Sequence, residues 1–283
     1  MKIENESQLI MQASDGDREA LEVLLHSVRD MVFSLSLRML GLIPDAEDAT
    51  QEILIKVITH LSSFQKESSF STWVFRVAVN HLKDYRKGMF TERPLSFEFY
   101  GEDIASGREA DVPDLTGGVD RALLERELKL SCSNVMLQCL DAESRAIYVL
   151  GTMFRLSSPT AAEILGMSPE AYRQRLSRIR KKVGAFLGEY CGLSGTGICA
   201  CRRRVNYAIA THRLDPARLD FQSMEECGYD EIGSYTDAME ELDELSQIFA
   251  GFPAYRSPEN IIGWIRKMMD SQSFQTAVRG QEV

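Results

Sequence analysis

Apolar side chains recur at helical spacing through nearly every patterned segment of the chain, and clean strand alternation is scarce. Between Arg18 and Leu40 they form a stripe that a helix buries on one face: Leu21, Leu24, Leu25, Val28, Val32, Leu35 and Met39. The same spacing over 45–61 and 70–87 predicts a second and a third amphipathic helix. We therefore expect an all-α protein.

One long interruption of the helical pattern divides the chain. Over 91–118 the apolar period disappears, and Pro and Gly appear among acidic residues, which predicts an acidic linker. The sequence thus predicts an N-terminal helical domain at 1–90 and a second helical domain at 119–190. The remaining stretch, 191–283, contains further helix candidates and is predicted to be a small helical C-terminal extension.

Composition narrows the class of protein. Of 283 residues, 44% are hydrophobic and 26% are charged, which is an ordinary globular balance. No apolar run approaches the 18 residues that a membrane helix needs, and the first residues lack a signal-peptide pattern. We expect a cytoplasmic protein with no membrane contact. The net charge of −10 argues against a general nucleic-acid coat, although it permits local basic faces.

The third predicted helix carries a basic and polar stripe at helical intervals: Arg76, Asn80, Lys83 and Lys87. Trp73 and Phe75 flank this stripe. Positive charge with aromatic rings nearby suits the backbone and the unstacked bases of single-stranded DNA. A solvated helix face beside core aromatics gives the same pattern, so the pattern alone leaves both interpretations open.

The second predicted helix has a polar face around the apolar Ile55: Asp48, Gln51, Glu52 and Lys56. Polar side chains around an apolar residue are typical of a specific protein-docking face. An ordinary solvated helix has the same appearance, and this second interpretation also stays open.

The second domain contains a helix-turn-helix pattern. Ser158-Pro159 opens one helix, Gly166 marks a turn, and Ser168-Pro169 opens the next helix. From 168 to 182 this second helix carries a local charge of +5. Its predicted exposed face is basic: Arg173, Arg175, Arg178, Arg180, Lys181 and Lys182. An apolar back and a basic front suit insertion into the major groove, although a generic basic surface helix shares the layout.

Together these segments resemble the extracytoplasmic-function (ECF) sigma factors of bacterial RNA polymerase. The N-terminal domain is similar to sigma region 2 through DAEDATQEILIKV from Asp45 and FSTWVFRVAVNHLKDYRK from Phe70. The second domain is similar to region 4 through LDAESRAIYVL from Leu140 and SPTAAEILGMSPEAYRQRLSRIRKKV from Ser158. The resemblance covers roughly residues 8 to 188 and leaves the C-terminal extension outside it.

The resemblance implies a role for each motif residue. Binding to the β′ coiled coil of core polymerase is implied for Asp48, Gln51 and Glu52, with Lys56 beside them. Contact with the single-stranded −10 element is implied for Arg76, Asn80 and Lys83, and we add Trp73 and Lys87 to that set. Insertion into the −35 duplex is implied for the following residues: Ala171, Arg173, Arg175 and Arg178.

The function implied by the resemblance is that of an alternative sigma factor. Such a protein binds core polymerase, including the β flap, recognises the −35 and −10 elements and melts DNA, with no catalysis or required cofactor of its own. The alternative is a helix-turn-helix regulator that acts without polymerase, and such a regulator does not need the N-terminal domain. One departure from the family is Tyr172, which stands where a small β-branched residue is usual and must find space for a ring.

The C-terminal extension collects several soft ligand types: Cys191, Cys199, Cys201, His212 and Cys227. Thiolates with an imidazole suit Zn²⁺ or Cu⁺, and the extension loosely resembles the cysteine-containing tails of metal-responsive ECF factors. Redox sensing and incidental thiols are the other interpretations, since nearby arginines favour a reactive thiolate. Cys132 and Cys139 are predicted to be core residues.

The extension is also strongly acidic in one segment. Between Gln222 and Gln247 there are nine acidic residues and no Lys or Arg. The regulatory hypothesis is that this acidic face docks on the basic surfaces of region 2 or region 4 and inhibits them within one chain. One alternative is that the extension is a small helical domain without a regulatory role. Another is that a separate anti-sigma partner inhibits the protein.

Overall fold

A computed structural model of the chain describes residues 6–85, 95–106, 114–232 and 243–271. Helices account for most of these residues and strands are nearly absent among them, which confirms the predicted all-α class. The N-terminal domain contains four helices: α1 (Glu6–Ser14), α2 (Arg18–Leu40), α3 (Ile43–Thr59) and α4 (Phe70–Asp84).

Local sequence signals set the ends of α2, which has the predicted bounds. The side chain of Asp17 accepts hydrogen bonds from the first free N–H groups of the helix, at Glu19 and Ala20. Gly41 ends it in the left-handed conformation, with φ of 89°, and its N–H donates to the Leu37 carbonyl. The next helix follows within two residues, so α2 and α3 form a tightly connected antiparallel pair.

The second domain has the predicted helix-turn-helix. Its helices are α6 (Arg121–Leu137), α7 (Ala142–Tyr148), α8 (Ser158–Leu165) and α9 (Pro169–Tyr190), and α7 continues into a π-helical turn over Val149–Met153. Ser157 and Ser168 cap α8 and α9, and Gly166 between the two helices has a positive φ of 66°. The first cap is therefore Ser157, one residue before the predicted one.

The linker is partly helical, although its sequence shows no helical pattern. It contains α5 (Phe97–Ser106), which packs against α9 through aromatic rings. The ring centroids of Phe97 and Phe186 lie 5.0 Å apart, and those of Tyr100 and Phe186 lie 5.8 Å apart. Gly101 is needed there, because a Cβ at this position would lie 2.6 Å from the Tyr190 ring. Contacts with another domain stabilise this helix, and its own sequence gives only a weak periodic signal.

The described part of the C-terminal extension contains three α-helices and one short antiparallel strand pair. These elements are α10 (Cys201–Ala210), β1 (Glu226–Cys227), α11 (Glu244–Ala250), β2 (Ala254–Tyr255) and α12 (Asn260–Asp270). Glu226 pairs with Tyr255, and Cys227 pairs with Ala254. Within the described ranges, no helix is long and apolar enough to cross a membrane.

The two helical domains pack directly against each other. Helix α4 of the N-terminal domain lies against α8 of the second domain, and just before α8 the Phe154 ring meets the Phe75 ring edge to face at 5.2 Å. At the rim, Arg76 Nη2 donates to Glu163 Oε1 at 3.0 Å. Arg145 of α7 also donates to the Met39 carbonyl at the end of α2. We call this packing of α4 against α8 the closed arrangement.

Candidate nucleic-acid and polymerase-binding surfaces

The two binding faces predicted in the N-terminal domain meet in one open groove between α3 and α4. The groove has a volume of about 800 Å³ and is lined by Glu52, Lys56, His60, Ser63, Trp73, Val77, Asn80, His81, Asp84 and Tyr85. Asn80 is exposed in it, and Trp73 is half-buried. The Trp73 ring packs against the rings of Phe64 and Phe70, whose centroids lie 5.4 and 5.9 Å from its own. The groove therefore presents an ordered aromatic ring next to an amide that can both donate and accept hydrogen bonds.

A histidine links the two helices at the floor of this groove. His81 Nδ1 lies 2.9 Å from the Lys56 ammonium, and its Nε2 lies 3.2 Å from a Glu52 carboxylate oxygen. Burial lowers the pKa of His81, and the positive charge of Lys56 lowers it further. The ring is therefore neutral near pH 7 and accepts from Lys56. His81 thus lies in contact with both Lys56 and Glu52, two of the predicted polymerase-binding residues.

The remaining predicted residues of this domain are distributed over different environments. Asp48 is exposed, whereas Gln51 and Lys83 are half-buried. Arg76 lies at the domain interface with Glu163 and does not line the groove. Lys87 falls outside the described residues.

One aromatic residue that the sequence placed beside the basic stripe lies elsewhere. Phe75 is fully buried at the contact with Phe154, so of the two open interpretations the core interpretation applies to this residue. The pattern on α4 alone does not reveal that the second domain covers this side of the helix.

Helix α9, which is predicted to enter the major groove, presents its N-terminal half to solvent. Arg173 and Arg178 are exposed, and Ala171 is half-buried at the first turn. Arg175 is exposed too, and its guanidinium lies 2.6 Å from Glu143. Arg180, predicted to be on the exposed face, instead donates at 3.0 Å to the Gly151 carbonyl and is half-buried. The Arg180 side chain is long enough to reach a carbonyl group of the π-helical turn. A helical wheel of α9 alone does not predict this contact.

The π-helical turn also provides the space that the Tyr172 ring needs. Its ring is fully buried, and its hydroxyl donates to the Ile147 carbonyl at 3.3 Å. A Cβ on Gly151 would lie 2.3 Å from the Tyr172 hydroxyl oxygen. The glycine thus makes room for the ring that departs from the family pattern.

The five residues predicted to hold a metal ion do not gather at one point. Cys199, Cys201 and His212 line one cavity, while Cys191 lies on the other side of Cys201. Cys227 is buried in β1, where its charged neighbours are Arg256 and Asp30. Among the described residues, no group of three or more His, Cys, Asp or Glu side chains is arranged to hold a metal ion. Metal binding by these residues therefore stays a prediction.

A buried arginine lies where the N-terminal domain, the second domain and the C-terminal extension meet, and the sequence did not predict this position. Arg38 of α2 is 1% exposed, and its guanidinium donates to Asn134 Oδ1 at 2.6 Å, the Pro253 carbonyl at 2.6 Å and the Tyr229 hydroxyl at 3.3 Å. Asn134 belongs to α6, whereas the other two acceptors belong to the extension. The only signal in the sequence is a charged residue that interrupts an apolar run, and it does not identify the partners.

The comparisons with known proteins match both helical domains. Residues 24–88 match the family model Sigma-70 region 2, and residues 134–183 match Sigma-70, region 4. RNA polymerase sigma factor NccH of Alcaligenes xylosoxydans xylosoxydans is 30% identical over 182 residues, which cover 63% of this chain and 92% of NccH. ECF RNA polymerase sigma factor SigW of Bacillus subtilis is 29% identical over 174 residues, which cover 61% of this chain and 91% of SigW.

The solved structure of CnrH in complex with the cytosolic domain of CnrY also matches. The match has a TM-score of 0.47 and 24% identity, and it covers 65% of this chain and 97% of that chain.

The matches include the N-terminal domain, which a helix-turn-helix regulator acting without polymerase does not need. They also keep the order that the sequence motifs predicted, region 2 before region 4. Sigma factors are specificity subunits, and catalysis belongs to the polymerase. The chain belongs to the extracytoplasmic-function family of RNA polymerase sigma factors, the alternative subunits that direct transcription initiation.

Proposed function

We propose that this sigma factor binds core polymerase through the exposed face of α3 and opens the −10 element in the groove between α3 and α4. In this proposal Asp48, Gln51, Glu52 and Lys56 contact the β′ coiled coil, and the second domain lies near the β flap. The −35 duplex is read by the N-terminal half of α9. Bacterial polymerase works in the cytoplasm, so we place the protein there as well.

The groove fits an unpaired base better than it fits a duplex. Trp73 offers a ring face for stacking, and Asn80 offers hydrogen-bond groups for the edge of a base that has left the stack. By contrast, α9 presents Arg173 and Arg178 on a convex helix face, which suits phosphates and base edges of the major groove. The two surfaces thus divide the recognition of single-stranded and double-stranded DNA.

The closed arrangement is the single observation that supports a proposal about the state of the free protein. Helices α4 and α9 both pack against α8, so their axes lie within roughly 20 Å of one another at ordinary packing distances. The −35 and −10 elements are separated by about 85 Å of B-DNA at about 3.4 Å per base pair. We therefore propose that the free protein is inactive in this arrangement and that promoter binding requires the two domains to separate.

The C-terminal extension adds contacts that favour the closed arrangement. Ser34 of α2 exchanges two hydrogen bonds with the backbone of Tyr255, at 2.8 and 2.9 Å, on the N-terminal domain. On the second domain, the Phe249 ring meets Tyr148 edge to face at 5.5 Å. One segment of the extension thus binds both domains at once. These contacts favour inhibition within one chain over inhibition by a separate anti-sigma protein.

At the N-terminal domain the extension supplies charges of both signs. Arg256 pairs with Asp30 at 3.4 Å, Arg266 pairs with Glu22 at 2.8 Å, and Asp270 pairs with Arg18. At the second domain, Glu226 of the acidic segment lies 2.6 Å from Arg126. Residues 233–242 of the acidic segment lie outside the described residues.

The two DNA surfaces are tested by paired substitutions in the full-length chain. Trp73→Ala is expected to reduce promoter opening by roughly 5- to 150-fold, because stacking of a base on an aromatic ring contributes about 1–3 kcal/mol. Opening is measured with core polymerase as permanganate reactivity of unpaired thymines at the −10 element. Arg173→Ala is expected to weaken binding to a −35 duplex instead.

The matched control for this experiment is Trp264→Ala, since Trp264 is the other tryptophan of the chain and lies on α12. This control is expected to open the promoter as the unchanged protein does. Normal opening by Trp73→Ala would contradict the assignment of the groove.

A further inference from the structure

A cavity of about 630 Å³ lies where the N-terminal domain, the linker, the second domain and the extension meet, and we call it the junction cavity. Apolar side chains from all four parts line it, among them Leu42 between α2 and α3, Ile104 of α5, Leu128 of α6 and Phe221 of the extension. Its volume is within the range of about 300–1,000 Å³ that is usual for small-molecule sites, which are common at domain junctions. Neither DNA-binding surface includes this cavity.

Each Asp, Glu and Arg side chain that lines the junction cavity has a hydrogen-bond partner within the protein. Asp103 of α5 accepts from Arg204 at 3.1 Å and from Arg213 at 2.8 Å. Glu127 of α6 accepts from the N–H of Phe221 at 3.0 Å. A charged ligand gains little from charges that already have partners, and its own charge is costly to bury beside apolar side chains.

The remaining charged groups of the wall are paired in the same way. Arg218 donates to Asp220 at 2.9 Å, and the Asp215 carboxylate accepts from the N–H of Ala217 at 2.9 Å. An uncharged apolar ligand leaves all of these hydrogen bonds in place. The pairing of the charges therefore favours a neutral ligand over an anionic or a cationic one.

We propose that the junction cavity is a binding site for an uncharged, predominantly apolar small molecule. Removal of the ligand's apolar surface from water supplies the affinity, and no bond to a protein atom is needed. Leu42 and Phe99 at the wall are 41% and 63% exposed, so a ligand can enter from solvent. These two side chains are among the few large apolar ones with such exposure in the described part of the chain, and a bound ligand covers part of their surface.

The position of the cavity connects ligand binding to the arrangement of the domains. Leu42 belongs to the N-terminal domain and Leu128 to the second domain, so the wall of the cavity comes apart when the two domains separate. A ligand that binds only the closed arrangement shifts the equilibrium toward it by a factor of 1 + [ligand]/Kd. The ligand is therefore expected to inhibit promoter opening. This consequence rests on the proposed closed arrangement, whereas binding to the cavity does not.

The binding test uses the full-length protein and Nile red, an uncharged apolar dye that becomes fluorescent in apolar surroundings. We expect a fluorescence titration that saturates at one dye per chain. The anionic dye 8-anilinonaphthalene-1-sulfonate is expected to bind at least roughly tenfold more weakly, because its charge finds no unpaired cation in the wall. Equal affinity for the two dyes would overturn the ligand class. Nile red fluorescence that does not saturate, as when another part of the chain fills the cavity, would overturn the site.

A pair of substitutions on α6 locates the bound dye. Ser131 is half-buried and lines the cavity, so the ring of Ser131→Trp is expected to fill it and to weaken Nile red binding at least roughly tenfold. Leu123→Trp places the same ring at a half-buried position of α6 outside the cavity wall, and this control is expected to bind normally. Normal binding by Ser131→Trp would contradict the location.

Photolabelling of the unchanged protein gives the location without any substitution. The probe is benzophenone, which is also uncharged and apolar and which forms covalent bonds to nearby C–H groups under ultraviolet light. Peptide mapping is expected to find the label within 95–104, 128–135 and 208–221, the segments that contribute most of the wall. Excess Nile red is expected to reduce this labelling. Labelling confined to other segments would overturn the proposal.

A further measurement tests the inhibitory consequence separately. With core polymerase and promoter DNA, Nile red at ten times its Kd is expected to lower promoter opening by the full-length protein by roughly tenfold. Opening by Ser131→Trp is expected to stay the same with and without the dye. Binding without any loss of opening would leave the site in place and refute its link to the closed arrangement. The titration and the photolabelling do not involve polymerase, so both are independent of the proposed promoter contacts.

Discussion

A chain shortened to residues 1–191 is expected to transcribe from its promoter at least tenfold more strongly than the full-length chain. The deletion removes the Tyr255 contact with Ser34, the Arg256 contact with Asp30 and the Arg204 contact with Asp103. A tenfold change corresponds to about 1.4 kcal/mol, which is modest for the loss of so many contacts. The measurement is run-off transcription with purified core polymerase at equal concentrations of the two proteins.

The shortened chain retains the part that matches complete relatives, since the matched region covers 92% of NccH and 91% of SigW. Equal binding of both chains to core polymerase is the control for folding. Unchanged activity would contradict inhibition by the extension. Abolished activity with normal binding to core would make the extension a required part of the sigma factor.

Replacing Arg38 with alanine is expected to lower the free energy of unfolding by about 3 kcal/mol. The guanidinium is fully buried and donates to acceptors in α6 and in the extension, at Asn134, Pro253 and Tyr229. Removing it leaves these buried acceptors without donors and creates a cavity, and both effects destabilise the folded state. Urea denaturation followed by circular dichroism measures the difference.

Arg18→Ala is the matched control in the same helix. Arg18 pairs with Asp270 of the extension at 2.5 Å, but both side chains are more than half exposed. Exposed pairs contribute between about 0 and 1 kcal/mol, so this variant is expected to unfold almost as the unchanged protein does. Equal effects of the two substitutions would show that Arg38 does not connect the three parts of the chain.

The features predicted well from the sequence are those that depend on residues close together in the chain. The bounds of α2 follow from Asp17 and Gly41, and the helix-turn-helix follows from Ser168 and Gly166. Each of these residues acts on N–H or carbonyl groups within four positions of itself. The same local logic correctly placed Asn80 and Trp73 on one side of α4.

The failures have a common cause, which is a partner distant in the sequence. Helix α5 is stabilised by Phe186, Phe75 is covered by Phe154, and Arg180 turns back to the π-helical turn. Periodicity describes one helix at a time and does not include these contacts.

The most direct test of the closed arrangement is the distance between the two DNA-binding surfaces in solution. Fluorescent labels on the exposed Ser63 and Ser177, introduced through non-natural amino acids, report on the α3–α4 groove and on α9. We expect efficient energy transfer in the free full-length protein and a large loss of transfer on binding to core polymerase and promoter DNA. A long, unchanging distance in the free and bound states would contradict the account.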